Sequence, residues 1–77
     1  MLEIVRHELA VATAEDVSDA DEAADLRHDL GIDSLSILEW VARLEYRFDL
    51  AVPDESWPQL TSISTVVDYL TDALVSS

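Results

Sequence analysis

The chain has 77 residues, of which 17 are acidic and only 4 are basic, so its formal net charge is −13 at pH 7. This excess of negative charge excludes the basic surface that nucleic-acid binding requires and argues against anionic membranes, and it favours protein partners with basic patches. The chain contains no cysteine, so neither a disulfide nor a thiolate metal site can stabilise it.

The length fits one domain spanning residues 1–77. A domain of this size buries only about 60–65% of its unfolded surface, so its stability is marginal. The apolar runs are a few residues long, too short to span a bilayer. The N-terminal segment contains Glu3 and Glu8 and lacks the basic start and apolar stretch of a signal peptide. We therefore expect a freestanding, monomeric, cytoplasmic protein.

Helical periodicity starts at the N-terminus. The apolar residues that predict a first helix over residues 2–12 are Leu2, Val5, Leu9 and Ala12. The next segment, residues 13–29, is acidic and alanine-rich, and its large apolar residues are Val17 and Leu26. We predict a long loop that these two residues anchor to the core.

A second helix is predicted to begin near residues 34–36 and to run to about residue 48. Helical spacing gives it a narrow core face of Ile37, Trp40, Val41, Leu44 and Phe48. The residues that point away from this face are Leu35, Glu39, Ala42, Arg43 and Tyr46, with Leu38 at the boundary.

The remainder of the chain predicts a short and a long helix. Pro53 and Pro58 limit the segment after the second helix to a short helical turn. The apolar residues of a last helix over residues 62–75 are Ile63, Val66, Val67, Leu70 and Leu74. The prediction is an all-α fold, a small bundle of three main helices and a short one, with a long first loop.

The segment DLGIDSLSILEW, residues 29–40, raises the question of what Ser34 does. A serine hydrolase would need a histidine hydrogen-bonded to the serine, and a nucleophile elbow places glycine two residues to each side of it. Those two positions hold Ile32 and Ser36, and the nearest histidine in sequence is His28. We therefore predict no catalytic residue.

The acidic segment, residues 13–29, is a candidate calcium-binding loop. Loops starting at Asp19 or Asp21 both lack the glycine and the final glutamate that such a loop requires. His7 and His28 lie far apart in sequence and are expected on the surface. We predict no metal site.

Ser34 could instead cap the second helix. Asp33, Ser34 and Ser36 can each accept a hydrogen bond from a free backbone N–H group there, and Ser36 with Glu39 fits the capping-box pattern. If Asp33 or Ser36 is the cap, the Ser34 hydroxyl is left free. A helix start also favours a phosphate electrostatically.

These residues resemble the phosphopantetheine attachment region of acyl carrier proteins. The similarity lies in Leu30, Gly31, Ile32, Asp33, Ser34 and Leu35, and continues in Phe48-Asp49, Val52-Pro53-Asp54, Leu60-Thr61 and Val67-Asp68-Tyr69-Leu70. It covers about residues 25–75, most of the chain.

The resemblance implies a four-helix bundle with a short third helix and a non-catalytic carrier role. Ser34, between Asp33 and Leu35 of the attachment motif, would receive 4'-phosphopantetheine from coenzyme A through a phosphopantetheinyl transferase. The thiol of that group would carry acyl intermediates as thioesters. The implied partners are acyltransferase- and ketosynthase-type enzymes of polyketide or fatty-acid biosynthesis.

The outward face of the second helix is predicted to dock partner enzymes. The residues of this face, called the docking face below, are Leu35, Leu38, Glu39, Ala42 and Tyr46. Arg43 and Arg47 interrupt the acidic character common in the family, and Glu39 with Arg43 has the spacing of an attractive pair within one helix. This departure favours a specialised pathway.

Two alternatives remain open from the sequence. A peptidyl or aminoacyl carrier would work by the same mechanism, although such carriers often have glycine where this chain has Ile32. An acidic interaction module that never carries cargo belongs to a different class.

Overall fold

The computed structural model describes residues 1–76, and this part of the chain forms four helices and no strand. The three α-helices are α1 (Leu2–Thr13), α2 (Ser34–Phe48) and α3 (Ile63–Ser76), and a 3₁₀ helix (Asp54–Gln59) lies between α2 and α3. The predicted all-α bundle is confirmed. No helix in the described residues is long and apolar enough to cross a membrane.

The core forms where α1 packs against both α2 and α3. The predicted core face of α2 is confirmed, since Ile37, Trp40, Val41 and Leu44 are buried and Phe48 is partly buried against them. The indole Nε1 of Trp40, which is completely buried, donates a hydrogen bond of 3.0 Å to the carbonyl oxygen of Val5. This bond fixes the indole ring against α1.

Four of the five apolar residues that predict α3 contribute to the core. Ile63, Val66 and Leu70 are buried and Val67 is partly buried, as helical spacing predicts. Leu74 is 38% exposed. It lies in the last turn of α3, where the helical spacing of apolar residues continues although the side chain is more exposed than the others.

The long loop is held in place by the side chain of Arg6. Its Nη1 donates to the carbonyl oxygens of Val17, Ser18 and Ala20 at 3.0, 3.1 and 2.8 Å. Val17 is buried, as predicted. One guanidinium thus satisfies three loop carbonyls that no regular element would pair.

The loop is also joined to the start of α3 and to the entry of α2. Leu26 is buried, as predicted, and its N–H donates to the Thr61 carbonyl at 2.9 Å. The Ser64 N–H donates to the Glu22 carbonyl at 2.8 Å, and the Ile32 N–H donates to the Leu26 carbonyl at 2.9 Å. Leu26 therefore links the segment before α2 with the segment before α3.

A buried carboxylate between α1 and α2 corrects the predicted pairing of Glu39 with Arg43. Glu8 of α1 is only 6% exposed. Its Oε1 accepts from Arg43 Nε at 2.9 Å, and its Oε2 lies 3.4 Å from Arg47 Nη1. Both arginines of α2 thus pair with a residue on another helix, because a buried carboxylate needs a cation far more than an exposed Glu39 does.

Candidate functional site

Ser34 is the first residue of α2, and Asp33 is its cap. Asp33 has an extended backbone, and its Oδ1 accepts from the Ser36 N–H at 2.8 Å. Of the three predicted caps, the structure therefore selects Asp33, and Ser36 contributes its backbone N–H. Ser34 is exposed and its hydroxyl has no capping role. The hydroxyl is consequently available for chemistry.

Electrostatics at the helix start keep Asp33 ionised. The backbone N–H of Ser36, and then its hydroxyl, lower the pKa of Asp33 below the usual value for an aspartate. Asp33 therefore has no proton to donate near neutral pH. It acts through its position, fixing the first turn that presents Ser34.

Gly31 favours the turn that leads into this helix. Its φ is +69°, in the left-handed region, and a Cβ there would meet no atom within 4 Å. Glycine is favoured here by the backbone conformation and not by a lack of space. After it, Ile32 is buried and anchors the segment immediately before Asp33.

Two grooves meet at Ser34. The first, of about 460 Å³, lies between α2, the end of the long loop and the 3₁₀ helix, and its lining is mostly apolar. The apolar side chains that line it are Leu26, Ile37, Leu38, Trp57, Pro58 and Leu60. Trp57 is thus placed in a groove beside Ser34, whereas Trp40 fills the core.

The second groove, of about 570 Å³, follows the backbone from Gly31 to Leu35 and is more polar. Arg27, His28 and Ser34 line both grooves. Arg27 is not predicted here from the sequence, and His28 is considered there as a hydrolase partner of Ser34 and as a surface residue but not as part of a groove. The sequence offered one signal for these two residues, namely that they lie a few positions before Asp33 and Ser34. Their position in the grooves depends on the fold of the loop.

The docking face predicted on α2 is exposed. Leu35, Leu38 and Tyr46 are 75%, 51% and 92% exposed, and Glu39 and Ala42 are also exposed. Three large apolar or amphipathic side chains on one exposed helix face form a patch of the kind that marks interaction sites. Leu35 and Leu38 adjoin the grooves at Ser34, and Tyr46 lies beside Arg43 and Arg47.

Comparison with known proteins places this site in a family. Residues 1–70 match the family described as "Phosphopantetheine attachment site". An acyl carrier protein from Streptomyces coelicolor is 37% identical over 71 residues, which cover 90% of this chain and 77% of that protein. The chain belongs to the acyl carrier protein family. An acyl carrier protein from Cyanidioschyzon merolae is 47% identical over 47 residues, covering 61% of this chain and 52% of that protein, about half its length.

These matches confirm the predicted family, the carrier role and the cofactor. Proteins of this family are non-catalytic carriers with covalently attached 4'-phosphopantetheine. They interact with phosphopantetheinyl transferases and with biosynthetic enzymes. Within the described residues, no group of three or more side chains is arranged to hold a metal ion.

Proposed function

We propose that this chain is a freestanding acyl carrier protein whose 4'-phosphopantetheine is attached to the hydroxyl of Ser34. The observation that carries the proposal is the exposed Ser34 hydroxyl at the start of α2, relieved of capping by Asp33. The next serine, Ser36, has its N–H bonded to the cap and is partly buried. Ser34 is therefore the more accessible hydroxyl of the segment.

The surroundings of Ser34 fit a phosphodiester followed by an extended arm. The helix start presents partial positive charge to the phosphate, and the two grooves offer room on either side. When attached, the group supplies a thiol that carries acyl groups as thioesters. The protein itself holds the attachment oxygen in a fixed turn formed by Gly31 and Asp33.

The attachment residue is tested by loading the protein from coenzyme A with a broad-specificity phosphopantetheinyl transferase and measuring the intact mass. The unaltered protein should gain one arm, and Ser34→Ala should gain none. Ser36→Ala is the matched control, since it removes a hydroxyl two residues away, and it should load normally. A mass gain that persists in Ser34→Ala would place the arm elsewhere.

We further propose that the docking face meets the phosphopantetheinyl transferase and acyltransferase- or ketosynthase-type enzymes. The net charge of −13 favours basic patches on these partners. Leu35, 75% exposed directly beside Ser34, supplies apolar contact next to the reacting hydroxyl. Glu39 supplies a negative charge one turn further along α2.

Transferase kinetics test the docking face. Leu35→Ala and Glu39→Lys should lower kcat/KM for loading at least several-fold, because each removes an exposed contact beside Ser34. Val11→Ala on α1 and Asp72→Lys on α3 are the matched controls at exposed positions. Equal kinetics for all four variants would show that the transferase does not use this face.

The cargo is proposed to be acyl, in a pathway of polyketide or fatty-acid type. Both relatives described above carry the name acyl carrier protein, which supports acyl over aminoacyl cargo. The protein that carries phosphopantetheine can be incubated with matched acyl and aminoacyl donors. The intact mass then shows which cargo is transferred to the thiol. A single domain over residues 1–77, a monomeric state and a cytoplasmic location stay predictions, open to limited proteolysis, sedimentation and fractionation.

A further inference from the structure

The four arginines differ in whether they have a carboxylate partner. Three form ion pairs: Arg6 with Glu22, and Arg43 and Arg47 with Glu8. Arg27 is exposed, and no carboxylate oxygen within the described residues lies within 4.0 Å of its guanidinium. Although the chain has 17 acidic residues, Arg27 therefore keeps a guanidinium that can bind an added anion.

The backbone around Arg27 is held by hydrogen bonds, whereas its guanidinium forms no ion pair within the described residues. Asp25 Oδ1 accepts from the N–H groups of Arg27 and His28 at 2.9 and 2.8 Å. The neighbouring Leu26 is 1% exposed and is bonded through its N–H to Thr61. Arg27 therefore extends from a rigid turn at the place where both grooves reach Ser34.

We propose that the Arg27 guanidinium binds the phosphodiester of the arm carried on Ser34. This inference rests on the proposed attachment at Ser34 and adds a residue that receives the phosphate. Arginine presents paired N–H donors that match two phosphate oxygens. Attachment adds a negatively charged phosphodiester to a protein of charge −13, at the residue that follows the Asp33 carboxylate. The positive charge of Arg27 would offset the resulting repulsion.

Asp25 is a carboxylate that interacts electrostatically with Arg27. The His28 N–H is the main cause that lowers the pKa of Asp25, and the charges of His28 and Arg27 contribute less. Asp25 Oδ1 accepts the two backbone hydrogen bonds of this turn, and neither Asp25 carboxylate oxygen lies within 4.0 Å of the Arg27 guanidinium. The Arg27 guanidinium is left able to turn towards Ser34.

The phosphate contact predicts a defined starting position for the arm. Because Arg27 lines both grooves, binding there holds the phosphate at the rim that they share. The arm then starts from a defined point, and Arg27 acts as a positioning residue.

Nuclear magnetic resonance of the arginine Nε–H groups tests the contact directly. The chain has 4 basic residues, all arginine, so only four such signals exist, and three belong to paired side chains that serve as references. Spectra are recorded before and after loading, with the mass gain measured on the same sample. On loading, the Arg27 signal should shift and slow its exchange with water, while the other three stay in place.

Variants give an independent readout through the ³¹P signal of the attached arm. Arg27→Gln should move that signal towards its position in a short loaded peptide. Arg47→Gln is the matched control, since it makes the same charge change at the far end of α2, and it should leave the signal unmoved. Both variants should still gain the mass of one arm.

The outcomes separate the contact from the attachment. An arm that loads on Ser34 while the Arg27 signal stays still would overturn the contact and leave the attachment intact. A shift of Arg27 with free coenzyme A, and none after loading, would overturn it in favour of a role in cofactor delivery. Absence of any mass gain would instead contradict the proposed function.

Discussion

Removing the arginines that face Glu8 should cost more stability than removing Glu8 itself. The asymmetry arises from exposure, because the Glu8 side chain is 7% exposed whereas those of Arg43 and Arg47 are 41% and 49% exposed. Without Glu8, both guanidiniums can turn to water. Without the arginines, the carboxylate stays buried and unpaired.

The exposure of these side chains gives the expected loss in free energy of unfolding for each variant. For Glu8→Gln we expect a loss of about 1 kcal/mol, since ion pairs with half-exposed partners are strongly screened. For Arg43→Met combined with Arg47→Met we expect a loss of about 2–3 kcal/mol, the cost of a buried charged group left without partners. In a domain of this size, each 1 kcal/mol lowers Tm by about 4–8 °C.

The assay is urea unfolding at neutral pH, followed by tryptophan fluorescence, which reports on the buried Trp40. Adding Glu8→Met to the arginine pair should restore at least half of the lost free energy of unfolding, because the unpaired charge is then gone. Arg27→Met is the matched control. Its guanidinium has no ion pair within the described residues, so its change should stay within about 0.5 kcal/mol.

Two results would refute this reasoning. One is an arginine double variant as stable as Glu8→Gln. The other is a triple variant no more stable than the double variant, since that would mean that the Glu8 carboxylate finds water or another partner without difficulty.

Three further predictions concern the core and the entry to α2. Trp40→Phe removes the bond to the Val5 carbonyl and part of a fully buried ring, and should lower the free energy of unfolding by about 1–2 kcal/mol in urea melts. Gly31→Ala forces an alanine to φ +69° and should cost about 1 kcal/mol, whereas Gly31→Asn should cost less; equal costs would mean that the turn readjusts. The folded-state pKa of Asp33 is depressed, so its stabilising effect is present above the pKa of the unfolded state and is lost as the pH falls through the folded-state pKa. Asp33→Asn should therefore flatten the acid side of a stability-against-pH curve, and an unchanged slope would contradict the cap.

The helices and most of the core follow from the sequence because their cause is local. The spacing of Ile37, Trp40, Val41 and Leu44 is enough to define one buried face of α2. The same spacing includes Leu74, which is 38% exposed, because periodicity defines a face of a helix and not how deeply each turn is buried. The attachment motif could be recognised because it is contiguous.

Features that depend on distant parts of the chain could not be predicted. Glu8 pairs with Arg43, 35 residues away, while the sequence offered the nearer Glu39. A signal was present, because Glu8 lies on the apolar stripe of α1, three residues after Val5. The groove between Trp57 and Ser34 likewise exists only through the path of the long loop, which has no periodicity to read.

The hydrogen bond between the Leu26 N–H and the Thr61 carbonyl makes the apolar groove observable from a single amide. Leu26 and Thr61 are both part of the groove lining, so the walls cannot separate at that point while this bond of 2.9 Å holds. The exchange rate of the Leu26 amide with deuterated solvent is therefore a gauge of how often the groove widens. That rate can be compared among samples of this protein loaded with cargoes of different length. A cargo that binds in the groove should change the rate, and a cargo that extends into water should not.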